Sequence, residues 1–151
     1  MRVVIQRVCE ASVKINGQIK SSINAGLLVL IGFVDDDTID DAHWLCSKIA
    51  NLRVFNDQQN SMNLSLNDVN GQVLLISQFT LFANTKKGNR PSYIKAARPE
   101  IALQLYESFI LSLEKELNRQ VFTGVFGADM KVALINDGPV TIIIDSKNKE
   151  L

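Results

Sequence analysis

The stretch Val73-Leu74-Leu75-Ile76-Ser77-Gln78-Phe79-Thr80-Leu81 changes from apolar to polar side chains where a buried strand would stay apolar. A second stretch, Asn136-Asp137-Gly138-Pro139-Val140-Thr141, opens the apolar run Ile142-Ile143-Ile144. A hydroxyl or amide that is buried without a partner costs roughly 1–3 kcal/mol. Because each polar stretch is joined to a core strand, we expect both to hold rigid groups that face a ligand.

Apolar runs on both sides of these stretches predict further strands. Asn16-Gly17 predicts a hairpin turn, since both central residues of a type I′ turn need positive φ. Gly26 precedes a continuous apolar run that suits a strand buried on both faces. The predicted strands are 2–8, 11–15, 18–23, 27–31, 54–55, 72–82, 120–126, 130–135 and 140–145, with Asp137-Gly138-Pro139 as the link between the last two.

Two helices complete the predicted fold. Asp35-Asp36-Asp37 is expected to supply the N-cap of a helix over 38–51, and Pro99 suits the first turn of a second helix. Apolar residues recur every four positions from Ile101 to Leu117 and mark the buried face of that helix. We predict one domain over 1–151 of the α/β class, with mixed β-sheets and both helices packed on one side in a layered β/β/α arrangement.

Composition limits the classes of function. The 151 residues carry 16 basic and 16 acidic side chains, which argues against a protein that coats RNA or DNA broadly. No run of about 18 apolar residues exists, so no membrane span is expected. The apolar run at the N-terminus is interrupted too early for a signal peptide, and a cytoplasmic location is the default expectation.

Candidate metal ligands and side-chain nucleophiles are few. Cys9 and Cys46 are the only cysteines, and both are expected to be ordinary buried thiols. His43 is the only histidine and lies in the first predicted helix, where a structural role is expected. We therefore predict no metal site and no cofactor.

The first polar stretch has two interpretations. Its hydroxyls can simply cap the end of a strand. Alternatively, the strand pattern breaks down there and leaves preorganised N–H groups that can hold the oxyanion of an acyl-transfer reaction. In that case Ser77 and Thr80 would position water or act as nucleophiles.

Three other segments also leave alternatives open. Gly138-Pro139 is either a tight turn or a cis peptide bond whose two carbonyls point to the same side and bind an ammonium group. The segment 83–98, with five basic residues, is either a solvated loop or a phosphate contact with Tyr93 available to stack. Phe126 and Met130 belong either to the core or to a pocket for a flat ring.

Together these segments resemble the D-aminoacyl-tRNA deacylase family, formerly called D-tyrosyl-tRNA deacylase. The resemblance covers nearly the whole chain. It rests on Gln6-Arg7-Val8, on Gly26-Leu27-Leu28-Val29-Leu30, on both polar stretches, on Arg90-Pro91-Ser92 and on Ala128-Asp129-Met130.

The resemblance implies a homodimer with its active sites at the subunit interface and the 3′ end of aminoacyl-tRNA as the substrate, with neither DNA nor a membrane as partner. Each site would pair the motif Ser77, Gln78, Phe79 and Thr80 of one subunit with Gly138, Pro139 and Val140 of the other. The Gly-Pro bond is expected to be cis and to reject L-amino acids. Arg7 is expected to fix that segment across the interface. Phe126 and Met130 are expected near the terminal adenine.

The implied reaction is hydrolysis of the ester bond of D-aminoacyl-tRNA, and cleavage of mischarged glycyl-tRNA is expected too. Water aided by the neighbouring ribose hydroxyl, or Thr80 as a covalent nucleophile, would attack the ester. One alternative function is a sister deacylase that clears a mischarged L-amino acid, with a trans Pro139. The others are a non-catalytic RNA-binding module and a generic small-ester hydrolase.

Overall fold

The computed structural model describes residues 1–150, and its elements follow the order strand hairpin, strand, helix, strands, helix, strands. The α-helices are α1 (Ile39–Asn51) and α2 (Pro99–Leu117), and a short 3₁₀ helix spans Phe79–Phe82. The strands are β1 (Arg2–Ile15), β2 (Gln18–Ile23), β3 (Gly26–Gly32), β4 (Phe55–Asn56), β5 (Met62–Leu64), β6 (Gln72–Ser77), β7 (Phe122–Thr123) and β8 (Lys131–Asp145).

A single six-stranded mixed sheet contains every strand of residues 1–150 except β4 and β5, which form a two-stranded ribbon. One edge of β1 pairs with β3 and then with β2, while its other edge pairs with β8 along almost its full length. The β3–β6 and β6–β7 pairs are parallel, and the pairs that involve β1 are antiparallel. The main sheet is mixed and nearly closed, and a small second sheet accompanies it, so the predicted α/β class with mixed β-sheets is confirmed.

Two apolar clusters lie on opposite faces of this sheet. Along β3, Leu27, Val29 and Ile31 belong to one cluster and Leu28 to the other, and β6 alternates in the same way. The first cluster includes residues of both α1 and α2, so the predicted packing of both helices on one side is confirmed. The second cluster is covered by β7 and β8. This explains why the interior positions of β3 and β6, residues 27–31 and 73–76, are all apolar.

The predicted helices are confirmed, but the N-cap of α1 is Thr38 and not the acidic run before it. Thr38 and Asp41 form a capping box. Asp37 instead binds the N-terminal ammonium group of Met1 and accepts the backbone N–H of Val34. Desolvation raises the pKa of Asp37, although these bonds act in the opposite direction.

Three predictions for the strands are wrong. The predicted strand 72–82 ends at Ser77, because the chain turns into the 3₁₀ helix. Residues 2–15 form one continuous strand instead of two. The predicted strands 130–135 and 140–145 are also one strand, β8, so Asp137-Gly138-Pro139 is not the turn of a hairpin.

The reason for the last difference lies in the register with β1. Gln6 pairs with Thr141 and Val8 pairs with Asn136, so three additional residues of β8 bulge out between the two pairs. A second irregularity follows at once between Val8 and Glu10, and Cys9 at this point is exposed rather than buried as predicted.

No helix in residues 1–150 is long and apolar enough to cross a membrane.

Candidate active site

A cavity of about 610 Å³ opens between the end of β6, the start of α2 and the segment that precedes β8. Its floor is apolar and includes Ile31, Ile76 and Val132. Aromatic side chains and a few polar groups form its walls. Among the predicted site residues, those that line the cavity are Ser77, Gln78, Phe79, Phe126 and Met130.

The first motif forms one wall because β6 ends abruptly at Ser77. The Gln78 N–H donates to the carbonyl of Ile31 at 2.7 Å, which holds the chain against β3 at this point. A Cβ atom on Gly32 would lie 2.8 Å from the Gln78 carbonyl oxygen, so only glycine permits this approach. Gly32 thus shapes this wall of the cavity, and the sequence analysis missed that position.

The 3₁₀ helix leaves two amide groups free at the motif. Leu81 N–H donates to the Gln78 carbonyl at 3.3 Å, and Ala83 N–H donates to the Thr80 carbonyl at 3.0 Å. The first N–H groups of a helix have no acceptor within the helix. Neither the Phe79 nor the Thr80 N–H finds another acceptor in residues 1–150. Both amides are available to an incoming oxygen atom.

The side chains of the motif have distinct surroundings. The Phe79 ring is 57% exposed and packs edge-on against Tyr93, with 5.0 Å between ring centroids. The Thr80 hydroxyl accepts a hydrogen bond from the Gln78 amide nitrogen at 2.5 Å and does not line the cavity. Phe79 therefore lines the cavity, whereas the hydroxyl of Thr80 is hydrogen-bonded to the Gln78 side chain outside the cavity lining.

The opposite wall is built on buried groups. The Phe126 ring packs against Tyr106, whose hydroxyl donates to the Leu75 carbonyl at 2.9 Å. Burial raises the pKa of Tyr106, so this phenol stays protonated. A Cβ atom on Gly124 would lie 2.3 Å from the Met130 sulfur, and glycine here makes room for that side chain. Phe126 and Met130 are therefore firmly placed at the cavity.

The second motif is the bulge of β8, and Asn136 closes its base. The Asn136 side-chain oxygen accepts the Val140 N–H at 2.8 Å. Its side-chain nitrogen donates to the Val140 carbonyl and to the Thr141 hydroxyl, each at 3.2 Å. The Gly138–Pro139 peptide bond at the tip is cis. One amide side chain thus supplies the contacts that the missing ladder bonds would have made.

Arg7 supports the same bulge from beneath. This side chain is only 6% exposed, and its Nε donates to the Asp137 carbonyl at 2.9 Å. A terminal nitrogen of the guanidinium donates to the Val54 carbonyl and to the Asn56 side chain. Arg7 therefore holds the segment of its own chain, and the expected contact across an interface remains a prediction.

The tip of the bulge requires glycine. Gly138 has a backbone φ angle of +138°, which residues other than glycine rarely adopt. A Cβ atom there would lie 2.8 Å from the Val140 side chain and 3.1 Å from a terminal nitrogen of Arg7. The tip is exposed, and neither Gly138 nor Pro139 lines the cavity. Within one chain, the two predicted motifs are not brought together.

Other reactive side chains lie away from the cavity. His43 is exposed on α1. Cys46 is buried, and desolvation raises the pKa of its thiol to about 12. Residues 1–150 contain no group of three His, Cys, Asp or Glu side chains placed to hold a metal ion.

Comparison with known proteins identifies the family of this fold and site. The sequence profile described as D-Tyr-tRNA(Tyr) deacylase matches residues 4–145, which include both motifs. The chain belongs to the D-Tyr-tRNA(Tyr) deacylase family. The resemblance stated from the sequence is therefore confirmed.

Relatives of this deacylase family match over nearly their whole length. The D-aminoacyl-tRNA deacylase of Flavobacterium psychrophilum is 63% identical over 99% of this chain and 100% of its own. A solved structure named c-Myc DNA Unwinding Element Binding Protein is 39% identical, with a TM-score of 0.90, over 96% of this chain and 98% of its own.

A more distant neighbour shares the fold alone. The structure titled as a probable eukaryotic D-amino acid tRNA deacylase is 16% identical, with a TM-score of 0.85, over 95% of this chain and 97% of its own. The mixed α/β fold with two helices is thus shared with this neighbour at low sequence identity.

Proposed function

We propose that this protein hydrolyses the ester bond of D-aminoacyl-tRNA and releases free tRNA and the D-amino acid. The observation that carries the proposal is the family match over residues 4–145, together with a relative of that name at 63% identity. The proposed setting is quality control of translation in the cytoplasm. The proposed substrate group is the aminoacylated 3′ end of tRNA.

The free amides of Phe79 and Thr80 are the proposed oxyanion hole. Phe79 lines the apolar cavity and Thr80 directly follows it in the chain, and hydrogen bonds to a developing negative charge are stronger in such a site than in water. In this proposal Phe126 and Met130 receive the terminal adenine, and Ser77 and Gln78 shape the wall beside the ester. The aminoacyl ester is itself an activated acyl group, so binding and charge stabilisation supply most of the acceleration.

Water, aided by the neighbouring ribose hydroxyl of the tRNA, is the proposed nucleophile. The Thr80 hydroxyl already accepts a hydrogen bond from Gln78 and lies outside the cavity lining, which disfavours a covalent role. The Thr80→Ala variant is expected to keep its turnover within about tenfold of wild type. Loss of a group that takes part in the chemical step would lower turnover by more than this, by about 10²–10⁴-fold for a general acid or base. Loss of nearly all turnover, with the variant still folded by circular dichroism, would establish the covalent route instead.

Chiral selection is proposed to come from Gly138, Pro139 and Val140 of a second copy of the chain. Their main-chain carbonyls would hold the α-amino group of the substrate, and their crowding would exclude the side chain of an L-amino acid. The contacts of Arg7 and Asn136 support this proposal, because they make the segment rigid. Glycine has no side chain to clash, so glycyl-tRNA should be partly accepted.

A homodimer is proposed because neither motif completes a site within one chain. The bulge of β8 is exposed and away from the cavity that it would serve. On the same strand, Ile135 and Ile143 are 54% and 47% exposed, so β8 leaves apolar surface open to solvent. Pairing of two copies would cover these side chains.

Deacylation of D-tyrosyl-, L-tyrosyl- and glycyl-tRNA at matched concentrations tests the proposed function. The D-substrate should be cleaved fast, the glycyl substrate more slowly, and the L-substrate at the background rate. Preferential cleavage of the L-substrate would support the sister editing deacylase. Binding of tRNA without any turnover would support a non-catalytic RNA-binding module.

A further inference from the structure

A groove of about 980 Å³ adjoins the cavity described above, and Ala96 lies on the lining of both. We call it the lysine groove, because Lys86 and Lys95 lie along it. It runs from the edge of the cavity, beside Tyr93, towards the N-terminal end of β1. None of the proposed catalytic or chiral-selection residues lines it.

Most charges of the lysine groove are already paired. Arg2 binds Asp145 at 2.9 Å, and Lys147 binds Asp41 at 2.8 Å. In residues 1–150, neither Lys86 nor Lys95 has a carboxylate partner within ion-pair distance. The acidic residues of the groove are Asp35, Asp36 and Asp145, of which only Asp36 makes no ion pair.

The two unpaired lysines belong to a segment of one sign of charge. Residues 83–98 contain five basic and no acidic side chains, in a chain whose net charge is zero. The segment is not loose, since Asn84 and Ser92 exchange two backbone hydrogen bonds and the Ala97 N–H donates to the Phe33 carbonyl. The backbone that carries these two unpaired lysines is therefore anchored beside the cavity.

We propose that the lysine groove binds the phosphodiester backbone of the tRNA 3′ strand where that strand leaves the cavity. This inference rests on the proposed function, because a terminal nucleotide in the cavity must stay joined to the preceding nucleotides. A chain of phosphates favours a path lined by free cations, and each neutralised phosphate releases counterions. The Lys86 and Lys95 ammonium groups provide that path on the side of Ala96.

One ion pair at the border refines the proposal. Arg98 lines the cavity and Asp35 lines the groove, and their side chains pair at 3.4 Å while both remain exposed. An exposed pair of this kind contributes little to stability, because water screens both charges. Arg98 can therefore turn to a phosphate at little cost, and Asp35 opposes the binding of tRNA.

The test compares D-tyrosyl-tRNA with D-tyrosyl-adenosine, a substrate that ends before the groove begins. For the Lys86→Ala/Lys95→Ala variant, we expect KM for the tRNA to rise about 3- to 10-fold with kcat unchanged. The slope of log KM against log salt should fall by about 1.4, or 0.7 for each lost phosphate contact. Kinetics on the adenosine ester should not change.

Two further variants sharpen the test. Lys20→Ala removes an exposed lysine of β2 that lies outside the groove, and its KM for tRNA should match wild type. Asp35→Asn keeps an oxygen to accept the Arg98 backbone N–H but removes the charge, so its KM for tRNA should fall. This opposite shift is not expected from damage to the fold.

The results separate the inference from the function on which it rests. If wild type cleaves D-tyrosyl-tRNA but the double lysine variant keeps its KM and salt slope, the lysine groove does not bind the tRNA backbone. An equal KM rise for both substrates would also overturn the groove proposal, since the effect would then arise in the cavity. If wild type cleaves neither substrate, the proposed function itself is wrong.

Discussion

At the scale of single residues, Gly138 decides whether the exposed bulge of β8 can form. Its φ of +138° and the 2.8 Å approach of a hypothetical Cβ to Val140 both exclude other residues. We expect Gly138→Ala to cost about 1–3 kcal/mol of stability from backbone strain. Because the carbonyls of the bulge would move, turnover of D-tyrosyl-tRNA should fall by about a hundredfold.

The matched control for this prediction is Gly17→Ala. Gly17 also has positive φ, but nothing lies within 4 Å of a Cβ atom there, and it belongs to the hairpin turn between β1 and β2. It should lose stability of similar size without losing turnover. Unfolding in urea and single-turnover kinetics give the two quantities. A Gly138→Ala protein with wild-type turnover would show that the shape of the bulge is irrelevant to the reaction.

The residue types in the sequence indicated which residues form the site, but they did not indicate which neighbours hold those residues in place. The polar residues after β6 and before the end of β8 are indeed held in place, by Ile31 in one case and by Arg7 and Asn136 in the other. Gly32 and Gly124 were missed, because a glycine in an apolar run shows no sign of which neighbour approaches it. Only the packed structure reveals that neighbour.

At the scale of elements, the start of α1 links stability to pH. Desolvation alone would raise the pKa of Asp41, but hydrogen bonds from Lys147 and from Thr38 outweigh it and hold the pKa well below its ordinary value of 3.8. A carboxylate whose pKa is lowered on folding stabilises the protein above its unfolded pKa. That stability is lost as the pH falls below that value.

We therefore expect wild type to be more stable than Asp41→Asn at pH 6, and this difference to shrink as the pH is lowered from about 4 to 3. Urea midpoints of both proteins at each pH give the comparison. Asp40→Asn, which removes an exposed carboxylate from the same helical turn, serves as the control. If the stability difference between wild type and Asp41→Asn is the same at pH 3 as at pH 6, the role assigned to this carboxylate is wrong.

The elements that the sequence predicted well are those with strong local patterns. The apolar runs of β3 and β6 and the four-residue spacing in α2 are local signals, and the structure confirms them. That residues 131–145 form one continuous strand, β8, is not a local property of the sequence. It depends on how many residues β1 places opposite the bulge, and this register appears only when both strands are paired.

At the scale of the whole molecule, we propose that two copies of the chain assemble to bring the separated motifs together. We expect sedimentation at twice the chain mass of 16.8 kDa. Introducing Asp at both Ile135 and Ile143 places charge on the exposed side chains of β8 and should give monomers without turnover. Leu111→Asp, at a position of α2 that is even more exposed, should leave both mass and turnover unchanged. A fully active monomer would exclude the shared site.

A homodimer was predicted from the sequence only through the resemblance of the chain to a family. Composition and periodicity describe one chain, and the interface of a homodimer leaves no separate pattern in that chain. The exposed isoleucines of β8 become informative only once the strand is seen to face solvent. The order of the motifs along the chain could not show that they lie apart in one subunit.

Complementation between two inactive variants tests the shared site most directly. Phe79→Pro removes one proposed oxyanion donor, with Phe79→Leu as the control for the lost ring, and Gly138→Ala distorts the bulge. After the two inactive proteins are unfolded, mixed and refolded together, half of the dimers should be mixed, and each mixed dimer holds one intact site. We predict recovery of about a quarter of the wild-type rate on D-tyrosyl-tRNA. Co-refolded dimers that remain inactive would contradict a site built from both subunits.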